Sequence, residues 1–303
     1  MPNWGEILSK LKREESPLDM LRWKYLKILN QYTERNIISY YSSFLQRPDI
    51  SGQEINDIDK NAFMQAVHKL DKSKGLDLIL HTPGGNIAAA ESIVNYLREI
   101  FGDDIRAIIP QISMSAGTMI AFSCKEIVMG KQSNLGPIDP HFGGMSCSAI
   151  IEEFENARKD ILTDQNNSSV WYPIISKYHP TFIGDCQKAI TWSKEIVGEW
   201  LRTNMFKSDQ DKEKKANDVV DYFSSHEKTK SHSRHIHMKE CIEYGLKIIP
   251  LEEFKKNQIE DCKDLQDCVL TLHHTYMHTF ENTAAIKIVE NHLGDAMITN
   301  IRN

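Results

Sequence analysis

The sequence has no run of about 18 uncharged apolar residues, so no segment carries the pattern of a bilayer-spanning helix. Its opening, MPNWGEILSKLKREE, lacks the apolar core of a secretory signal, and a cytoplasmic protein without direct membrane insertion is expected. Cysteine is sparse and unpatterned. The six residues Cys124, Cys147, Cys186, Cys241, Cys262 and Cys268 form no CxxC, so their spacing excludes a four-Cys zinc knuckle, and the length of 303 residues excludes a small disulfide-stapled domain. They are expected to be reduced, mostly buried thiols. Neither sign of charge dominates: 36 basic and 42 acidic side chains leave −6, which argues against a broad nucleic-acid or anionic-membrane surface. Internal repeats and low-complexity tracts are absent as well. What remains is a globular composition, 41% hydrophobic and 26% charged, at a length that allows one large domain or two ordinary ones.

Hydrophobic spacing divides the chain. Leu18, Leu21, Tyr25, Ile28 and Leu29 recur three or four apart and predict an N-terminal helix within residues 1–35. Asn36-Ile-Ile-Ser-Tyr-Tyr predicts a strand, and Asp57–Lys72 a helix with Ile58, Phe63, Val67 and Leu70 on one side. Strands are then expected at Leu76–Leu80, Ile105–Pro110 and Glu126–Met129, separated by helices around Ala90–Leu97 and Met114–Cys124. That alternation implies crossover units and a mainly parallel sheet flanked by helices. Helices are expected again over Ser148–Leu162, Thr181–Phe206 and His235–Gly245, with a strand at Leu246–Pro250. The charged stretch Lys207–Lys230 reads as an exposed connection or solvated helix. The segment 251–303 reads as a helical C-terminal extension or as an assembly surface.

Two strand-to-helix junctions attract chemical interest. Thr82-Pro-Gly-Gly-Asn86 is a turn whose glycines permit close approach of backbone N–H groups to a ligand, although Pro-Gly-Gly is also an ordinary tight turn. Met114-Ser-Ala-Gly-Thr118 places Ser115 where a helix begins, the position of a helix cap and equally of a nucleophile facing the positive helix end. In a parallel sheet both loops emerge at the same edge, where ligands bind.

The stretches Leu78-Ile-Leu-His-Thr-Pro-Gly-Gly, Met114-Ser-Ala-Gly-Thr-Met-Ile-Ala and Leu135-Gly-Pro-Ile-Asp-Pro together resemble the serine dehydrogenase proteinase family. That family lies within the Clp-protease/crotonase superfamily and is related to signal peptide peptidase A and the NfeD proteases. The likeness runs from about Leu18 to Glu253. It implies an α/β fold with a parallel sheet of repeated β-β-α units flanked by helices, a catalytic core over 36–250, and helical additions at both ends. It also implies an ATP-independent serine peptidase acting on peptides or unfolded segments, as a homo-oligomer, with no nucleic acid among its partners and no cofactor.

By residue, the resemblance implies Ser115 as nucleophile, the backbone N–H groups of Gly85 and Ala116 as oxyanion hole, and Gly84, Gly117 and Asp139 as supporting loop positions. The base is open. A lysine must be desolvated to act as one, and Lys188, in the apolar-patterned Cys186-Gln-Lys-Ala-Ile, is the first expectation, with Lys177 next. His141, 26 residues after Ser115, is the rival. His232, His235, His237 and Cys241 have some look of metal ligands, as does the His273-His274 pair with His278, but no matching second set exists and no metal is expected. The competing functions are a non-hydrolytic peptide-binding scaffold and a crotonase-like acyl-CoA enzyme.

Overall fold

The computed structural model describes residues 17–254 and 262–301. Seven strands form the main sheet: β1 (Asn36–Ser42), β2 (Leu76–His81), β3 (Ile105–Ile109), β4 (Glu126–Met129), β5 (Ile248–Pro250), β6 (Ala285–Asn291) and β7 (Ala296–Asn300). Their spatial order is β5–β4–β3–β2–β1–β6–β7. β1 to β5 run parallel, while β6 is antiparallel to β1 and β7 antiparallel to β6. The architecture is the expected mixed α/β one with a mostly parallel sheet.

Both faces of the sheet are covered, which explains why its strands read as continuous apolar runs rather than alternating ones. On one face Ile38, Tyr40, Leu78, Leu80, Ala107 and Ile127 pack beneath helices α2 (Ile58–Val67), α3 (Ile87–Phe101) and α4 (Ala116–Phe122). On the other, Ile37, Tyr41, Ile79, Ile108 and Val128 meet α1 (Pro17–Thr33) and the C-terminal helix Leu265–Asn282. Consecutive residues point to opposite cores because the strand period is two. Past β4, α5 (Cys147–Thr163), α6 (Ser168–Ile175) and α7 (Phe182–Trp200) form a helical arm around a small cluster of Cys147, Ile150 and Cys186. Helix α8 (Lys212–Phe223) follows, and Leu265–Asn282 is α9. Among the described residues no helix is long and apolar enough to cross a membrane.

Three readings of the sequence are corrected here. Lys207–Lys230 is not a solvated connection: α8 buries Ala216, Val219, Val220 and Phe223, spaced i, i+3, i+4 and i+7, and Phe223 meets Phe122 edge to face at 4.9 Å. The three lysines and three acidic residues of the same helix hid the stripe. The C-terminal extension is helical only in part, because after α9 it adds the β6–β7 hairpin to the sheet. Buried charges disguised that strand. Lys287 pairs with Asp59 at 2.8 Å, and Glu290 accepts from Arg22 at 2.6 Å, with all four side chains almost fully buried. Finally, Cys262 and Cys268 are joined by a disulfide across the first turn of α9, so only the other four cysteines are the buried thiols expected.

His81 ends β2 inside this core, among the rings of Phe44, His273 and Tyr41 at 4.9, 5.0 and 5.4 Å. Burial pushes its imidazole down to about 3, and it drives His273 well below the ordinary value too. Folded His81 therefore stays neutral while the unfolded chain takes up a proton below about pH 6.5. Stability from this group is complete above that value and falls on acidification by about 1.4 kcal/mol per pH unit. Thermal unfolding at about pH 7.5 and about pH 5 is expected to show a smaller acid-induced loss of Tm for His81→Phe than for the parent. An equal loss in both would contradict this assignment.

Candidate active site

Two loops are stitched together at the carboxyl edge of the sheet. Thr82 N–H donates to Ile112 O at 3.2 Å, and Met114 N–H donates to Thr82 O at 3.0 Å. This pairing lays Thr82–Gly85 alongside the turn that carries Ser115. Gly84, at φ +98°, touches that turn: a Cβ there would sit 2.6 Å from Ser115 Cβ and 2.7 Å from Met114 O. Gly85 is gripped from the other side. Ile55 N–H donates to Gly84 O at 2.7 Å, Asn86 N–H donates to Ile55 O at 2.9 Å, and a Cβ on Gly85 would fall 2.4 Å from the Ile55 backbone. Asn86 then caps α3, accepting from Ala88 N–H at 2.7 Å. Among the described residues, neither Gly85 nor Ala116 spends its N–H on another protein group.

Ser115 itself adopts φ 49°, ψ −117°, a left-handed conformation that a non-glycine residue holds only at a cost of order 1–3 kcal/mol. The fully buried α4 fixes it there. Gly117 lies so close to Thr82 that a Cβ would come within 2.4 Å of its methyl, and Thr118 Oγ1 donates to Ser113 O at 2.8 Å. The Ser115 side chain, partly exposed, makes no cap hydrogen bond to the helix. The capping role that the sequence allowed is therefore not the one it plays.

A second, three-stranded sheet of Ile112–Ser113, Asn134–Leu135 and Ile236–His237 gathers the remaining groups. Ser115 follows its first strand, Asp139 its second, and His232 precedes its third. Asp139 is buried, and its two oxygens are divided between imidazoles: Oδ1 accepts from His232 Nδ1 at 2.7 Å, and Oδ2 pairs with His141 Nε2 at 3.0 Å. The His141 and His232 rings lie 3.9 Å apart, and His226 Nδ1 stands 3.4 Å from Asp139 Oδ2. Burial by itself would raise the Asp139 carboxyl, but the hydrogen bonds and charge of His141 and His232 outweigh it and hold the group well below the usual carboxylate range. Gly84, Gly85, Ser115, Asp139, His141 and His232 all line one cleft of about 640 Å³. Ile87, Met119, Phe142 and Trp192 supply its apolar walls.

The structure thus brings together Ser115, Gly84, Gly85, Asp139 and His141, with Ala116 and Gly117 directly behind the serine. It does not bring the lysines. Lys188 is 83% exposed and lies 3.6 Å from Asp185, whereas its neighbour Ala189 faces the cleft. One residue along a helix is a rotation of about 100°, and that rotation turns Lys188 into solvent instead of the dry setting a lysine base needs. Lys177 is exposed too, and no lysine lines the cleft among the described residues. His232 was visible in the sequence only as a member of a histidine-rich stretch. Its partner Asp139 lies 93 residues away, a distance that no local spacing rule bridges. His235 and His237 are exposed and take no part.

The model of the ClpP-like SDH-type serine proteinase family matches residues 43–250, more than half of the chain. Two uncharacterized proteins of Methanocaldococcus jannaschii are similar to it. MJ0137 is 36% identical over 107 residues, 35% of this chain and 37% of the relative. MJ1495 is 35% identical over 96 residues, 32% of each. The chain spans about a third of the length of these curated relatives.

The glycine geometry is directly testable. Gly84→Ala forces a methyl onto the Ser115 turn, whereas Gly143→Ala, at φ +56°, meets nothing within 4 Å. Denaturant unfolding is expected to show a loss of about 1 kcal/mol for Gly143→Ala and several-fold more for Gly84→Ala. Equal losses would mean that the two loops do not meet as described.

Proposed function

The chain belongs to the ClpP-like SDH-type serine proteinase family, and from that premise we propose that it hydrolyses peptide bonds without ATP, with Ser115 as nucleophile and His232 as general base. The observation that carries this reading is the 2.7 Å hydrogen bond from His232 Nδ1 to the buried Asp139, in the cleft that Ser115 also lines. A carboxylate on Nδ1 fixes the tautomer, leaving Nε2 with a lone pair to accept a proton. Ser115 Oγ attacks the scissile carbonyl as His232 Nε2 removes its proton. The unused N–H groups of Gly85 and Ala116 receive the charge that develops on the carbonyl oxygen. His232 returns the proton to the leaving amine, and water then releases the acyl group from Ser115. The apolar walls support peptides or unfolded segments with apolar side chains as substrates. Homo-oligomerisation and action in the cytoplasm belong to the same proposal and rest on family likeness alone.

A second reading makes His141 the base. It contacts the other Asp139 oxygen through Nε2, which leaves Nδ1 for the proton, and it lines the same cleft.

Fluorophosphonate labelling and peptide turnover separate these readings. Ser115→Ala is expected to abolish both, and His232→Ala to lower kcat/KM by roughly 10³–10⁴-fold. His141→Ala is expected to cost far less, and Lys188→Ala and Lys177→Ala nothing. A larger loss at His141 than at His232 would transfer the base to His141. Peptide binding without turnover in the parent would overturn hydrolysis and leave a binding scaffold.

A further inference from the structure

Asp139, His141 and His232 each turn a ligand atom toward the others, all within 4.8 Å, the only such group among the described residues. A third imidazole joins them: His226 Nδ1, buried and without a hydrogen-bond partner among the described residues, points at Asp139 Oδ2 from 3.4 Å. We propose that these four side chains bind a divalent ion of the zinc class, and that its binding switches the peptidase off. The second half of this proposal rests on the catalytic reading above; the first does not.

The donor set is chemically selective. Three imidazole nitrogens and one carboxylate suit zinc and its transition-metal neighbours, whereas magnesium and calcium take oxygen shells. Tetrahedral bonds of about 2.0–2.1 Å place donor atoms about 3.3 Å apart. Asp139, His141 and His232 already hold three donor atoms within 4.8 Å of one another, and His226 Nδ1, 3.4 Å from Asp139 Oδ2, is the fourth donor that closes in on a bound ion. The ion also has its own way in. A cavity of about 650 Å³, lined by His141, Ser146, His226 and His232 but not by Ser115, reaches the cluster outside the substrate cleft.

Inhibition follows from the proton count of a neutral imidazole. In the resting site His232 carries its proton on Nδ1, donated to Asp139, and its lone pair on Nε2. A metal bond formed at Nδ1 needs the lone pair there, so the proton moves to Nε2 and no proton leaves the ring. Nε2 then donates only, and it has nothing with which to accept the Ser115 proton. His141 suffers the mirror-image change, with the metal on Nε2 and the proton on Nδ1. The switch therefore works whichever histidine is the base.

Metal binding is measured on the full-length Ser115→Ala protein, where catalysis plays no part. Titration with Co²⁺ is expected to saturate at one ion per chain with the visible absorption of a tetrahedral site, and Zn²⁺ is expected to displace it. His226→Ala and His232→Ala, checked for folding by circular dichroism, are each expected to weaken binding at least tenfold. No stoichiometric uptake, or uptake indifferent to both substitutions, would overturn the site while leaving the peptidase reading intact. In the parent protein, Zn²⁺ is expected to slow fluorophosphonate labelling of Ser115, and a chelator to restore it. Labelling that proceeds unchanged on the metal-loaded protein would overturn the switch. Failure to label even metal-free protein would count against the catalytic reading instead.

Discussion

A single buried carboxylate organises this molecule. Asp139 keeps its negative charge in a place where an unpaired charge is expensive, and it does so because imidazoles from separate parts of the chain converge on it. Each of those rings is oriented in return. A histidine free to spin offers either nitrogen to a serine, whereas one tied at Nδ1 offers only Nε2. In the proposed peptidase that constraint, more than the serine, sets the chemistry at Ser115, because a serine hydroxyl is a weak nucleophile until a base is aligned with it.

The fold brings these groups together through backbone pairing. The main sheet sets the edge at which β2 and β3 deliver their loops, and the three short strands after it align the segments bearing Ser115, Asp139 and His232. The Thr82–Ser113 bridge closes the assembly by pressing the glycine turn onto the serine turn. Strain at Ser115 is tolerable because α4, entirely buried, cannot relax to relieve it. Far from the site, the terminal segments steady the same sheet. Arg22 on α1 reaches Glu290 on β6 and Thr279 on α9, and Tyr276 adds a further hydrogen bond to Glu290. Removing one member of such a buried network typically costs about 3–5 kcal/mol.

Much of this is written locally in the chain. Asn36-Ile-Ile-Ser-Tyr-Tyr, Leu76–Leu80 and Glu126–Met129 are strands as their composition suggests, and the two strand-to-helix junctions at Gly84–Gly85 and Ser115 do meet. The misreadings share a cause: long-range pairing changes what a residue means. Lys287 and Glu290 look like surface residues until Asp59 and Arg22 are seen opposite them. Lys188 sits in an apolar pattern, yet one step of helical rotation separates it from the cleft-facing Ala189. His232 owes its position to a partner 93 residues away, and no periodicity in its neighbourhood records that.

The central claim concerns where three groups stand around a reacting carbon, so a structure of the protein with a peptide boronate tests it most directly. The account predicts a tetrahedral boron bonded to Ser115 Oγ, one oxygen within hydrogen-bond reach of the Gly85 and Ala116 N–H groups, and His232 Nε2 on the serine side of the adduct. A boronate bound elsewhere, or one on Ser115 with its oxygen turned away from both amides, would contradict it.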